Sequence, residues 1–264
     1  MKKWLFIGVI FTLIAALMVG CGKSSSGSKS DSTLAKIKER GKFVVGVKYD
    51  TYLFGYKDPK SGDVTGFDID IAKALAKKIL GDEKKVELVE ITSKTRIPKL
   101  KNGDIDAIIA TMTITEDRKR EVNFSDVYFD AGQSLLVKKG SSIKSVDDLK
   151  KGTKVIAVKG ATSGDNVKKA APETELLEFE NYAEAFTALK SGKGDALTTD
   201  NSILYGMAAQ DSDYEVVGST FTEEPYGIAM VKGDQEFVDY VNKFLKNLQG
   251  SGEYAKIKAK WIKE

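Results

Sequence analysis

Apolar and polar positions change period repeatedly along this chain, and each change marks a predicted element. Lys42-Phe-Val-Val-Gly-Val47 is a continuous apolar run short enough for a buried strand. Residues 68–80 place Ile71, Leu75 and Ile79 on one face at helical spacing. Strand-like VELVEI (86–91) follows, then TSKTRIPKL (92–100) as a helix with Pro98 in its first turn, where a missing N–H is harmless. That helix start carries Lys94, Arg96 and Lys99 and no acid, against the preference of a helix N-terminus. Further strands are expected at 105–110, 134–139, 154–159 and 175–179, with helices at roughly 163–171 and 181–190. Strands alternating with helices predict an α/β fold with mostly parallel sheets.

The pattern also repeats. Leu100-Lys-Asn-Gly103-Asp-Ile-Asp106-Ala107 and Leu189-Lys-Ser-Gly192-Lys-Gly-Asp195-Ala196 share L-K-x-G-x-x-D-A at an offset of 89 residues. In each, a helix ends at a glycine suited to its C-terminus and a strand begins near the Asp. The run from Lys42 is echoed, in the same order, by the run from Lys154. Two similar lobes explain both echoes. Ligands of open α/β sheets sit beyond the carboxyl ends of strands. Here those ends are Lys48-Tyr-Asp-Thr-Tyr52, Thr111-Met-Thr113, Gly160-Ala-Thr162-Ser163 and Thr199-Asp200-Asn201-Ser202, which suits a small polar ligand.

Composition narrows the function by exclusion. The 41 basic residues are interspersed with 38 acidic ones, which argues against a nucleic-acid surface. With no histidine and one cysteine, His/Cys zinc sites and Ser-His-Asp or Cys-His catalysis are excluded. Residues 1–20 read as an export signal, with Lys2 and Lys3 ahead of an uncharged apolar run. Its ending resembles a bacterial lipoprotein signal, which would make lipidated Cys21 the mature N-terminus. Loss of the signal takes the formal charge from +3 to +1. Residues 21–33, rich in Gly and Ser, read as a flexible tether to a membrane surface.

TMTITEDRKR (111–120) is the richest chemical stretch. Alternation puts the hydroxyls of Thr111, Thr113 and Thr115 on one side, and Thr115 can cap a short helix. Arg118 in its first turn either forks onto a ligand carboxylate or pairs with Glu121 or Asp117 on a solvated face. Taken with TGFDIDIAKALAKKI (65–79), GATSGDN (160–166) and DALTTD (195–200), the chain resembles an extracytoplasmic solute-binding protein of the kind serving polar-amino-acid ABC importers.

The resemblance implies a two-lobed, type II periplasmic-binding-protein-like fold with two crossover hinge strands, near Phe129–Leu136 and Phe221–Ile228. Lobe 1 would comprise 34–131 plus 226–264, and lobe 2 would comprise 132–225. It also implies Tyr52 over the ligand, Thr111 and Thr113 hydrogen-bonding it, and Arg118 on its α-carboxylate. Thr162 and Ser163 would share that carboxylate, and Asp200 would receive the α-ammonium.

Arg96 occupies a position that follows the ligand's side chain in such proteins. With Arg118 and Asp200 it gives the site a net positive charge, which matches glutamate or aspartate and places the chain nearest the binders of those acids. Lys48, if it points inward, strengthens that preference; Arg96 could instead snorkel into solvent. The expectation is a monomeric, non-enzymatic receptor outside the cytoplasm, without cofactor or metal. It would hand an acidic amino acid to an ABC permease by hinge closure. Glutamine or another polar amino acid is the first alternative, a dehydratase-like secreted enzyme the second, and a receptor sensing module the third.

Overall fold

The protein is described here as a computed structural model covering residues 32–262. The expected signal, Cys21 and most of the tether lie outside the described residues. The tether's last two residues are already ordered into a helix start, where Ser32 Oγ accepts the amide of Ala35 at 3.3 Å.

The chain runs α1 (Thr33–Arg40), β1 (Phe43–Val47), then the short hairpin strands β2 (Asp50–Thr51), β3 (Gly55–Lys57) and β4 (Val64–Thr65). It continues through α2 (Phe67–Leu80), β5 (Val86–Glu90), α3 (Arg96–Lys101), β6 (Ala107–Ile108), α4 (Glu116–Glu121) and β7 (Val122–Ala131). A second group follows: β8 (Gln133–Lys138), β9 (Lys154–Val158), α5 (Ser163–Ala170) and β10 (Glu175–Phe179). It ends with α6 (Tyr182–Lys190), β11 (Ala196–Asp200), α7 (Asn201–Gln210) and β12 (Tyr214–Val217). The chain then returns with β13 (Glu224–Val231), α8 (Gln235–Gly250) and α9 (Glu253–Trp261).

Two five-stranded sheets result, in the orders β5-β1-β6-β13-β7 and β10-β9-β11-β8-β12. In each sheet four strands run one way and one runs against them: β13 in the first and β8 in the second. This is the two-lobed type II fold expected from the sequence. Strands buried on both faces carry continuous apolar runs, and each sheet accordingly has a hydrophobic core on either side. Phe43, Val45 and Ala107 face the core under α2 and α8, while Ile108 packs with Ile91 and Leu100 opposite.

The internal repeat is a hydrogen-bond motif. Asp106 Oδ2 accepts the amide of Val44 at 2.8 Å while its own amide donates to Val44 O at 2.7 Å. Asp195 does the same to Lys154, with both bonds at 2.8 Å. Each aspartate therefore gives an acceptor to an amide at the start of the parallel strand beside it. The preceding helices both end at a left-handed glycine, Gly103 (φ 78°) and Gly192 (φ 69°).

The chain passes between the sheets at Gly132 and again before β13, and the two passages touch. A Cβ on Gly132 would lie 2.6 Å from Thr222 O, so only glycine fits there. Beneath them Phe129 and Tyr226, one from each passage, stack at 5.5 Å, with Phe54 edge-on to both. Crossing segments are thus braced by packed rings rather than left as loose linkers.

Candidate functional site

Four loops of the first sheet bring cations and hydroxyls to one place. Lys48 follows β1 directly and is fully buried, its Nζ donating to Ser93 Oγ at 2.9 Å. Just ahead of α3, Thr92 and Thr95 bond each other reciprocally, which fixes the helix start, and Arg96 turns inward rather than out to solvent. Arg96 is only 2% exposed; its Nη1 donates to Ala110 O at 3.1 Å and its Nε has no partner among the described residues. Thr115 Oγ1 caps α4 through the amide of Arg118, and Arg118 Nη1 reaches back to Thr113 O at 2.8 Å.

Between them β6 is shorter than the apolar run at 105–110 predicts. Thr111 takes φ 44°, left-handed and strained for a β-branched residue, so the chain leaves the ladder. Buried Asp68 holds that turn, its Oδ2 accepting the Thr111 amide at 2.9 Å and its Oδ1 the Tyr128 hydroxyl at 2.8 Å. The expected alternation of Thr111, Thr113 and Thr115 therefore fails. Thr111 and Thr113 are buried at the site, while the Thr115 hydroxyl serves its helix.

The second sheet supplies the facing groups. Ser163 opens α5 with a buried hydroxyl that has no partner among the described residues. Thr162 Oγ1 donates to Glu224 Oε2 at 2.8 Å. Asp200 stands at the N-terminus of α7 yet does not cap it; its Oδ2 accepts the Tyr226 hydroxyl at 2.6 Å. Tyr182 is buried at the start of α6, with Lys48 Nζ 5.0 Å above its ring. The lobes meet directly: Arg118 Nη2 donates to Gly160 O at 3.1 Å and the Tyr182 amide to Asp50 Oδ2 at 2.6 Å.

Electrostatics set four of these side chains apart. Among the described residues, Lys48, Arg96, Arg118 and Asp200 make no ion pair. Burial pulls Lys48 down to about 8, with Asp50 opposing and Arg96 and Arg118 adding to the fall. Burial and then the like charge of Arg118 lower Arg96 to about 9, with Tyr182 and Asp200 opposing. Arg118 is lowered by burial, against the pull of Asp200 and Glu224. Asp200 is raised to about 7, first by burial and then by Glu224. Unpaired buried charges are costly, and a zwitterion carrying both signs relieves them. Among the described residues no His/Cys/Asp/Glu cluster suits a metal, and no helix is long and apolar enough to cross a membrane.

Of the residues singled out from the sequence, Lys48, Arg96, Thr111, Thr113, Arg118, Thr162, Ser163 and Asp200 converge at this junction. Tyr52 stands apart, 36% exposed with its ring edge-on to Tyr56 at 5.4 Å. Sequence reasoning missed Asp50, Ser93, Tyr182 and Glu224. Nothing local tells buried Glu224 from its neighbour Glu223, since both precede Pro225 in a polar stretch. Asp68 carried a usable signal: an acid between Phe67 and Ile69 at the start of an apolar helix.

The omitted acids correct the charge count behind the expected acidic ligand. Lys48, Arg96 and Arg118 face Asp50, Asp200 and Glu224, three cations against three carboxylates. A ligand without net charge leaves that balance intact, and an acidic one upsets it.

Comparison with known proteins points the same way. The profile of the bacterial extracellular solute-binding proteins, family 3, matches residues 43–264. The ABC transporter glutamine-binding protein GlnH of Bacillus subtilis (strain 168) is 61% identical over 270 residues, covering 100% of this chain and 98% of its own. A glutamine-binding protein of Geobacillus stearothermophilus is 61% identical over 248 residues, covering 89% of this chain and 95% of its own. Glutamate-binding protein GluB of Corynebacterium glutamicum is only 35% identical, over 93% of this chain and 85% of its own. The expected nearness to glutamate and aspartate binders is therefore corrected. Among solved structures, an ancestral arginine-binding protein bound to glutamine superposes with a TM-score of 0.79 at 47% identity, covering 85% of this chain and 99% of its own.

Proposed function

The chain belongs to the bacterial extracellular solute-binding proteins, family 3, and from that premise we propose that it captures glutamine for an amino-acid ABC importer. The family is one of extracellular binding proteins, not of catalysts. The observation that carries the cargo is the 61% identity, across the whole chain, to a glutamine-binding protein. The balanced charges of the cleft support it independently.

In this reading Arg118, Thr113 and the free Ser163 hydroxyl take the α-carboxylate. Asp200 takes the α-ammonium. Arg96 Nε, now without a partner, donates to the carbonyl oxygen of the side-chain amide, with Lys48 beside it. Thr111 and Thr162 shape the two walls, and Tyr52 borders the rim. The lobes, 34–131 plus 226–264 and 132–225, open to admit the ligand and close to present it to the permease. Lipidated Cys21 tethers the body to the cell membrane. The intact mass of the mature protein tests that anchor: a chain starting at unmodified Met1 refutes it.

Calorimetry with glutamine, glutamate, aspartate and arginine tests the cargo. Glutamine is expected to bind tightest, with a Kd of about 1 µM, or about −8 kcal/mol. Glutamate or arginine binding more tightly than glutamine overturns the proposal.

A further inference from the structure

The cleft's neutrality depends on a carboxylate with no obvious reason to be where it is. Glu224 begins β13, pairs in register with Ala131 at the crossing between lobes, and is only 2% exposed. It makes no ion pair among the described residues. Neutral donors satisfy it instead: Thr162 Oγ1 at 2.8 Å on Oε2, with Asn166 Nδ2 at 2.7 Å and Thr222 Oγ1 at 2.9 Å on Oε1. All three of these donors are neutral, so none of them cancels the carboxylate's charge, and a charge in a dry interior acts over several ångströms. Its field reaches Arg118 and Asp200, and through Thr162 it adjoins the Ser163 hydroxyl, which has no partner among the described residues.

We propose that Glu224 is a specificity-determining residue: its buried charge cancels one cleft cation and so excludes ligands with an anionic side chain. This rests on the glutamine reading for its direction of preference, but its mechanism concerns only the difference between an amide and the matching acid. Specificity is a difference of affinities and is often set by a repulsive element. Here the repulsive element sits behind the wall, so it can act without touching the ligand.

Glu224→Gln separates charge from geometry. The amide oxygen can keep the bonds from Asn166 and Thr222, and its NH2 can donate to Thr162 in place of the original bond. Kd values for glutamine and glutamate, measured by calorimetry on wild type, Glu224→Gln and Thr162→Val, give the ratio that matters. In Glu224→Gln the glutamate-to-glutamine Kd ratio is expected to fall at least 10-fold. Thr162→Val, which breaks the bond and keeps the charge, should shift both ligands alike. A Glu224→Gln protein that loses both ligands equally, with the ratio unchanged, overturns the proposal, because that is what a merely structural residue does.

Wild type supplies a check that does not depend on the variant folding. Glutamate forced into the neutral cleft should bind with greater proton uptake than glutamine, read as a difference in how the two binding heats depend on buffer ionisation. Glutamate bound at the affinity of glutamine with the same proton change refutes the role of Glu224. If wild type instead prefers an amino acid other than glutamine, the cargo reading fails while the expected change in ratio is still decided by the variant.

Discussion

Arg118 is the residue on which both lobes converge. It is held by Thr113 O on one side and Gly160 O on the other, with its charge unpaired. Arg118→Ala is therefore expected to weaken glutamine by about 3–5 kcal/mol, at least ~100-fold in Kd, the usual cost of breaking a buried charge pair. Unchanged glutamine affinity in calorimetry would remove it from the site. Asp200 gives a pH signature. Its carboxyl is raised to about 7, by burial and by Glu224, and a ligand ammonium beside it would lower it again. Glutamine binding near pH 6 should thus release a proton, and affinity should rise as pH increases from about 5 to about 7. Asp200→Asn should abolish that linkage; its persistence in the variant would point to another group. These side chains were legible in the sequence because each stands at the end of a strand or in a helix's first turn. Tyr182, Asp50 and Glu224 were not, because what marks them is contact with residues far along the chain, Asp50 with Tyr182 and Glu224 with Thr162 and Asn166.

At the scale of elements, the two aspartates of the repeat invite a paired measurement. Asp106 is buried and also holds Arg40, whereas Asp195 is exposed. Asp106→Ala should destabilise by about 1–3 kcal/mol, since the amide of Val44 is left without a partner away from water. Asp195→Ala should cost less than about 1 kcal/mol, because water can replace the carboxylate. Thermal unfolding of both variants checks the order, and equal losses would contradict the role of burial. Most of the fold could be read from the chain for the same reason the repeat could. A glycine after a helix and an Asp before a strand are local solutions to local hydrogen-bonding problems. The shortening of β6 was not legible, because Asp68, 43 residues earlier, captures the Thr111 amide. Tertiary capture of that kind leaves no trace in the period of an apolar run.

Across the whole molecule, closure depends on how near the lobes can come. Gly206 on α7 lies against the first lobe, where an added Cβ would stand 2.7 Å from Tyr52 O. Gly206→Ala should fold normally, since alanine favours a helix, yet hold the lobes apart. Small-angle scattering should show wild type contracting with glutamine and the variant keeping its ligand-free radius of gyration. Contraction of the variant to the wild-type value would show that the seam has slack. The second lobe offers peptide groups to this seam, Gly160 O and the amide of Tyr182, and the first lobe adds the carbonyl of Tyr52. The cargo-facing chemistry lies on side chains, which replacement alters, whereas peptide groups survive it. A lineage could thus exchange one nutrient for another without relearning how to shut. For the same reason, the hinge is a reusable chassis for sensors of other metabolites.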